Sequence, residues 1–551
     1  MNRCLAVFLV LLLSFPSVSA HSSSRYVDDG WSSPDLPQQG YVNVTFSENA
    51  GGAILSPGAP YLAWNNQKDG DDSQTLLCSS MKDPRCSEKT GSFTYMTRLV
   101  ACSQVTDLDC IESVKLLSSN QEIVGEAVDV FPKVIRTTYV EDSSIKLPRA
   151  SSGQTWSFPG FTHIGGNLFF VNAILAGSKN SSEKYFSTES LSMSVYAVDF
   201  KATTRDDGSS SASESPRGSG SVLGANGMYG PYEDERYECV MSGDSLCANR
   251  RELPDEIGFS ISLRLSASPS GWLHGRIAGA KISIENLSKS GAVRVLLAGK
   301  SVRIPNLGFS YSWSQIPERV QKQYRDGSFT DEGGALTKGC RWCSDDPLVN
   351  TTSSRPLSYG PDALQEFNSW INLRSDRADA DINSWSVRTL SQAEMKDSLG
   401  CFRKKNRVNG FVSTNATIYS AGPPKLVKGT LDYTVAAPHF RSNGEETLGR
   451  YQLIMKSDVA RCVYGFGAAP VTASVSVSNS NGVAKIATTS VTESDGWLSL
   501  TADNFTFSAS TIKVKLSQAK GKKTITCIKG TRSKSVTGSS PRCPAGYKQQ
   551  G

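Results

Sequence analysis

Residues Ile257-Gly258-Phe259-Ser260-Ile261-Ser262-Leu263-Arg264-Leu265 carry an apolar side chain at every second position. Neighbouring side chains of a strand point to opposite faces, so this is a strand with one face in a core. On a helix the same five residues would scatter around the whole circumference. The alternation recurs in Leu191, Met193, Val195 and Ala197, and in Val471, Ala473, Val475 and Val477. Further strands are expected at Tyr41 to Phe46, Ser92 to Ala101, Glu122 to Tyr139, Lys281 to Glu285 and Val293 to Ile304. Trp156, Phe158, Phe161, Phe169 and Phe170 crowd a Gly/Pro-punctuated stretch that suits a compact β core.

Near the end of the chain, Asn481-Gly482 and Asp495-Gly496 mark tight turns, because these residues tolerate positive φ. They separate short apolar runs that continue to Leu516. The spacing predicts a small sandwich, immunoglobulin-like in architecture. One stretch reads as helix: Ala363, Leu364, Phe367, Trp370, Ile371 and Leu373 recur at helical spacing, with Asp362 as cap and Gln365 three residues on. The fold class is therefore mainly β. It comprises multidomain β-sandwiches with disulfide-closed loops, one short helix, the C-terminal sandwich and a basic tail.

At 551 residues the chain is too long for one ordinary domain. Residues 1–20 read as a secretory signal: Arg3, then an apolar run from Leu5 to Phe15, then Val18-Ser19-Ala20. No later segment has the ~18 apolar residues of a membrane-crossing helix, so no transmembrane segment is expected in the mature chain. An N-terminal β domain is expected over 21–202. A Ser/Gly-rich linker or loop follows at 203–226, where low apolar content cannot offset ordering entropy. A second β-rich domain with the short helix spans 227–439, the sandwich 440–518, and the tail 519–551.

Of thirteen cysteines, Cys4 lies in the signal and twelve remain, an even number that reads as disulfides in an exported chain. The pattern C-x4-D-x2-C occurs three times, at Cys78/Asp83/Cys86, Cys102/Asp107/Cys110 and Cys239/Asp244/Cys247. Each can close a small loop, with the aspartate capping a turn; pairing between the clusters is the alternative. Cys527 and Cys543 bracket the tail. By elimination Cys401 pairs with Cys462, and Cys340 with Cys343.

The tail holds eight Lys or Arg and no Asp or Glu, against +6 for the whole chain, so basicity belongs to the tail alone. Lys520, Lys522, Lys523, Lys529, Arg532 and Lys534 are the candidate polyanion-binding residues. The expected partner is an anionic cell-wall polymer or extracellular glycan, held by charge density. A solvated end with no partner is the competing reading. Nucleic acid is not expected, since the tail offers only Tyr547 for stacking.

Two stretches bear on origin. Ser457-Asp458-Val459-Ala460-Arg461-Cys462-Val463-Tyr464-Gly465-Phe466 is the first. The second is Thr524-Ile525-Thr526-Cys527-Ile528-Lys529-Gly530 with Pro541-Arg542-Cys543-Pro544-Ala545-Gly546-Tyr547. Together they resemble the C-terminal module of large exported actinobacterial proteins, most of them uncharacterised. Cys110-Ile111-Glu112-Ser113-Val114 is similar to a recurring piece of the N-terminal region of the same proteins. The resemblance implies an exported bacterial protein, secreted or associated with the cell surface, and it carries no catalytic residue over.

Chemistry-bearing motifs are sparse. His21, His163, His274 and His439 lie far apart in sequence, without H-E-x-x-H or G-x-S-x-G. Cys340-Arg341-Trp342-Cys343 has redox spacing but sits in a loop rather than opening a helix. Asp69-Gly70-Asp71-Asp72, and Asp379, Asp381 and Asn383, read as solvated loops rather than calcium sites. No cofactor and no metal are expected. The primary functional reading is an exported, non-enzymatic binding or cell-surface interaction protein. The alternative is a secreted carbohydrate-active hydrolase using paired carboxylates, drawn from Glu233, Asp234, Glu235 and Glu238 beside Tyr232 and Tyr237.

Overall fold

The computed structural model describes residues 25–26, 32–33, 41–46, 60–66, 74–202, 239–325, 352–354, 361–466, 471–478, 484–485, 488–518, 523–538 and 542–550, less 88, 119–120, 136–137, 290, 405, 421 and 508–509. Most of these residues lie in strands. The Gly258–Leu265 strand lies within the expected stretch, and Phe259, Ile261, Leu263 and Leu265 are all buried. It pairs antiparallel with Val293–Lys300 on one side and Cys110–Leu117 on the other. Ala278–Asn286 and Glu122–Val124 form the two edges of this five-stranded sheet.

The apolar face of that sheet packs on a second one of fifteen strands among the described residues. Phe259, Ile261, Val114 and Leu297 meet Val171, Met193, Leu273, Val387, Phe411 and Ile454 in one core. The large sheet is apolar on its other face as well. Trp272, Val412, Leu453 and Met455, the immediate sequence neighbours of residues just named, point into a second core. There they meet Leu431, Tyr433, Val435, Ile512, Val514 and Leu516 of a six-stranded sheet. The result is three stacked β layers with the large sheet in the middle. Among the described residues no helix is long and apolar enough to cross a membrane.

Strand pairing crosses both expected domain boundaries. Ser187–Ala202, from 21–202, pairs with Leu246–Arg251 and Ser386–Thr389, from 227–439. Val408–Thr414 pairs with Leu448–Lys456, and Thr430–Ala436 with Ser510–Gln518. The three stretches therefore share sheets. Side-chain alternation marks where a strand lies and which face it buries, but backbone hydrogen bonds join strands at any sequence separation. Residues 203–226 lie outside the described residues.

Strands are present over 440–518, the stretch expected to form a small immunoglobulin-like sandwich, but they belong to two larger sheets shared with earlier segments. Leu448–Lys456, Thr488–Ser494 and Trp497–Thr506 belong to the large sheet, and Val471–Ser478 and Ser510–Gln518 to the six-stranded one. Asp495 and Gly496 turn the chain at φ 52° and 73°, as expected for a tight hairpin. Asn481-Gly482 lies outside the described residues. Among the described residues the strands flanking it pair at Val477–Lys485 and Ser478–Ala484, and Thr488–Ser494 then belongs to the other sheet.

The expected helix runs over Pro361–Trp370 and continues as a 3₁₀ turn through Arg374. Proline stands in its first turn, where a missing N–H removes no helical bond. Its apolar stripe (Ala363, Phe367, Trp370) packs on Phe46, Leu307, Ile418 and Ala436. Among the described residues three short α-helices join it: Glu318–Arg325, Gln392–Met395 and Ser457–Tyr464. The last contains the Asp458-Val459-Ala460-Arg461-Cys462 stretch and stops at Gly465, whose φ of 65° suits a residue without Cβ.

Candidate functional site

Four disulfides are formed among the described residues: Cys78–Cys86, Cys102–Cys110, Cys401–Cys462 and Cys527–Cys543. Cys247 is also disulfide-bonded. The side chain of Cys239, and Cys340 and Cys343 entirely, lie outside the described residues. The motif aspartates act in two ways. Asp83 accepts from the Ser79 and Arg85 backbone N–H groups and from the Arg85 side chain. Arg85, and then the Ser79 N–H, hold its carboxyl well below the usual range. Asp107 caps its own turn through the Ser103 and Gln104 N–H groups. Asp244 departs from this. It sits at positive φ in the turn between Cys239–Gly243 and Leu246–Arg251, and its carboxylate accepts from the distant N–H groups of Lys133 and Val134.

The basic tail is a three-stranded sheet of Lys523–Lys529, Arg532–Gly538 and Lys548–Gln549. Thr524, Ile525, Thr526 and Ile528 favour an extended backbone, and Gly530 turns the chain at φ 59°. Register places Lys529 opposite Arg532 and Cys527 opposite Lys534. Opposed residues of an antiparallel pair share a face, so Lys529, Arg532 and Lys534 form one cationic face. All three are exposed, as are Arg542 and Lys548. Among the described residues none of the five has an ion-pair partner within 4 Å. Lys520 and Lys522 lie outside the described residues, and of Lys523 only the backbone is described.

A groove of about 1250 Å³ opens between the Ala278–Asn286 and Val293–Lys300 strands, the Ala380–Ser384 strand and the ends of Leu448–Lys456 and Trp497–Thr506. Most of its charged side chains meet an opposite charge. Asp255 pairs with Arg303, Glu256 with Lys300, Glu445 with Arg441 and Asp503 with Arg450, at 2.7, 3.0, 3.2 and 2.9 Å. Glu122 meets Lys115 at 3.0 Å, Asp381 meets Arg441 at 3.5 Å, and Glu446 lies 3.8 Å from His439. None of the lining residues is aromatic. A glycosidase pair needs one carboxyl kept protonated and one free, beside a surface that stacks on sugar. Glu233 to Glu238 and the neighbouring tyrosines lie outside the described residues, as does Asp69-Gly70-Asp71-Asp72.

Asp379, Asp381 and Asn383, expected in a solvated loop, are instead buried on and beside the Ala380–Ser384 strand. Asp379 pairs with Arg374, Asp381 accepts from the Ser442 hydroxyl, and Asn383 donates to the Leu253 and Pro254 carbonyls. Asp381 and Asn383 meet partners here that only the fold brings near. Among the described residues no group of three or more His, Cys, Asp or Glu is placed to hold a metal ion.

A second charged group is enclosed between the large and six-stranded sheets. The strands Gly271–Arg276 and Ser386–Thr389 place His274 opposite Arg388. His274 stacks on Tyr419 at 4.0 Å, and the Arg276 guanidinium lies 4.7 Å from the same ring. Arg388 is held by both Glu394 oxygens at 2.7 and 2.8 Å. Glu394 is fixed in turn by a capping box: its carboxylate accepts from the Ser391 N–H, and its own N–H donates to the Ser391 hydroxyl. Burial pushes Glu394 up, and the Arg388 guanidinium overrides this and holds it below its ordinary value. Burial, aided by Arg276 and Arg388, drives His274 well below the usual histidine range. The sequence signal for this cluster was Ser391-Gln392-Ala393-Glu394, the S-x-x-E of a helix start.

No family model, no curated protein and no solved structure matches the chain.

Proposed function

We propose that the protein is exported and acts as a non-enzymatic binding protein, gripping an anionic surface polymer through its basic C-terminal sheet. One observation carries this reading. Lys529, Arg532 and Lys534 share an exposed face with no ion-pair partner among the described residues, in a tail that contains no acid. These three cations stand exposed on one face, and a dense polyanion supplies the counter-charge that they lack. Export is supported by the signal-like first twenty residues, by the disulfides and by the resemblance to exported actinobacterial proteins. The paired-carboxylate hydrolase gains no support from the groove, whose acids mostly meet basic side chains and whose lining has no aromatic ring.

Fractionation of the producing cells tests it. The protein is expected in the wall fraction at low salt and in the wash at high salt, because screening shortens the reach of exposed charge. Deletion of 519–551 is expected to move it to the medium, and to abolish retention of the purified protein on immobilised heparin, used as a sulfated-glycan probe. Wall association that survives both salt and deletion would refute the proposal.

A further inference from the structure

The ribbon 122–131 is a free edge. Among the described residues, Glu122–Val124 ends the five-stranded sheet, and Glu126–Phe131 pairs only with Gly153–Ser157 at the rim of the large one. Asp129 turns its N–H and C=O to the Thr155 hydroxyl at a β-bulge, where Val128 and Asp129 together oppose Thr155. Every residue of 126–130 is exposed; Val128 is 46% and Val130 37% accessible, and Val124 reaches 61%. An exposed edge of β-branched residues, without proline or lysine in the strand, is a template for another strand. The ribbon carries Glu122, Glu126 and Asp129 and no cation. Glu122 is met by Lys115, and Asp129 only by exposed Lys133 at 3.6 Å.

The molecule owns a second free edge of opposite sign. Arg532–Gly538 is the outer strand of the tail sheet, with Arg532 through Ser535 all exposed. Like charges oppose pairing of either edge with its own copy: Glu126 and Asp129 on one, Arg532 and Lys534 on the other. Opposite charges favour pairing between the two. We propose that the chain associates with a second copy of itself, the Arg532–Gly538 edge of one molecule adding to the Glu126–Phe131 edge of the next. The surfaces joined are different, so a reciprocal pair of copies and a longer head-to-tail chain both satisfy the contact.

Charge reversal tests this on the full mature chain by sedimentation velocity over a concentration series. The wild type is expected to grow with concentration, and less so at high salt. Glu126→Lys with Asp129→Lys, and separately Arg532→Glu with Lys534→Glu, are each expected to weaken association by about tenfold or more. A mixture of the two reversed proteins is expected to associate again, since each offers the edge that the other now needs. Circular dichroism of the variants separates misfolding from lost contact. A wild type that stays monomeric would overturn the inference, as would association indifferent to both reversals or a mixture that does not recover. The Glu126→Lys, Asp129→Lys protein keeps its tail and should still bind heparin. Loss of assembly alone therefore leaves the polyanion proposal standing, and loss of heparin binding alone leaves this one.

Discussion

The interior cluster and the C-terminal sheet treat charge in opposite ways. Around Arg388 every ionised group meets a counter-charge or a ring at close range, and the group is closed off between two layers. On the tail, cations of the same type project into solvent with no partner among the described residues. Pairing serves the first region because an unpartnered charge in a low-dielectric interior is severely penalised. Water tolerates the second arrangement, so its cations remain free to act on something outside the molecule. Residue type alone does not separate the two cases, since Arg388 and Arg532 are the same side chain.

The contrast can be broken at either end. The largest effect is expected inside. Glu394→Gln leaves Arg388 buried without its counter-charge and should lower unfolding free energy by about 3–5 kcal/mol in urea. A loss well under 1 kcal/mol would mean that the pair is not truly enclosed. Next comes the tail. Lys529→Ala, Arg532→Ala and Lys534→Ala together should cost about 3 kcal/mol of affinity for heparin, near a hundredfold, at about 1 kcal/mol per cation at an anionic surface. The urea midpoint should not move, and a moved midpoint would show that these cations have structural work.

The third effect is a pH dependence. His274 stays neutral when folded because burial, Arg276 and Arg388 oppose its protonation; Glu394 is already committed to Arg388, Tyr419 stacks on the ring, and burial holds the Tyr433 hydroxyl neutral. The unfolded chain takes up that proton near the ordinary histidine value. Stability is therefore present above about pH 6.5 and lost below it, at about 1.4 kcal/mol per pH unit for this one group. His274→Phe should make the curve shallower over that window, and an unchanged slope would remove His274 from the account. The smallest effect is expected in the groove. Lys300→Ala breaks an exposed pair with Glu256 and should change stability by less than about 1 kcal/mol.

Much of the fold could be read from the chain, but not its connectivity. Phe259, Ile261, Leu263 and Leu265 lie on the buried face that their spacing demands. The same rule could not reveal that Cys110–Leu117 would flank them, because pairing depends on backbone groups that every residue carries. It also missed the two-faced strands. In Trp272-Leu273-His274-Gly275-Arg276 both faces are buried, so apolar and charged residues mix and no alternation survives. Asp379, Asp381 and Asn383 misled for a related reason, since polar residues look solvated until distant partners such as Ser442 and Leu253 are brought to them. The cationic tail was plain from composition, because a run of like charge needs no tertiary partner to be noticed. Its folding into a sheet, and the common face of Lys529, Arg532 and Lys534, came only from register.

The central layer sets the order in which this chain can reach its final form. It joins Tyr61–Asn66 to Trp497–Thr506 in one sheet, and its two faces are covered by strands drawn from 110–300 and 418–518. Contacts so distant in sequence close slowly, because long loops must be brought together before they are rewarded. Until residue 518 has emerged, the face of Gly271–Arg276 and Val408–Thr414 turned toward the six-stranded sheet lacks its cover, and apolar surface and strand edges stay open to other chains. A chain of this design depends on company while it is being made. Its yield should track the supply of holding chaperones along the route more closely than it tracks the stability of the finished molecule.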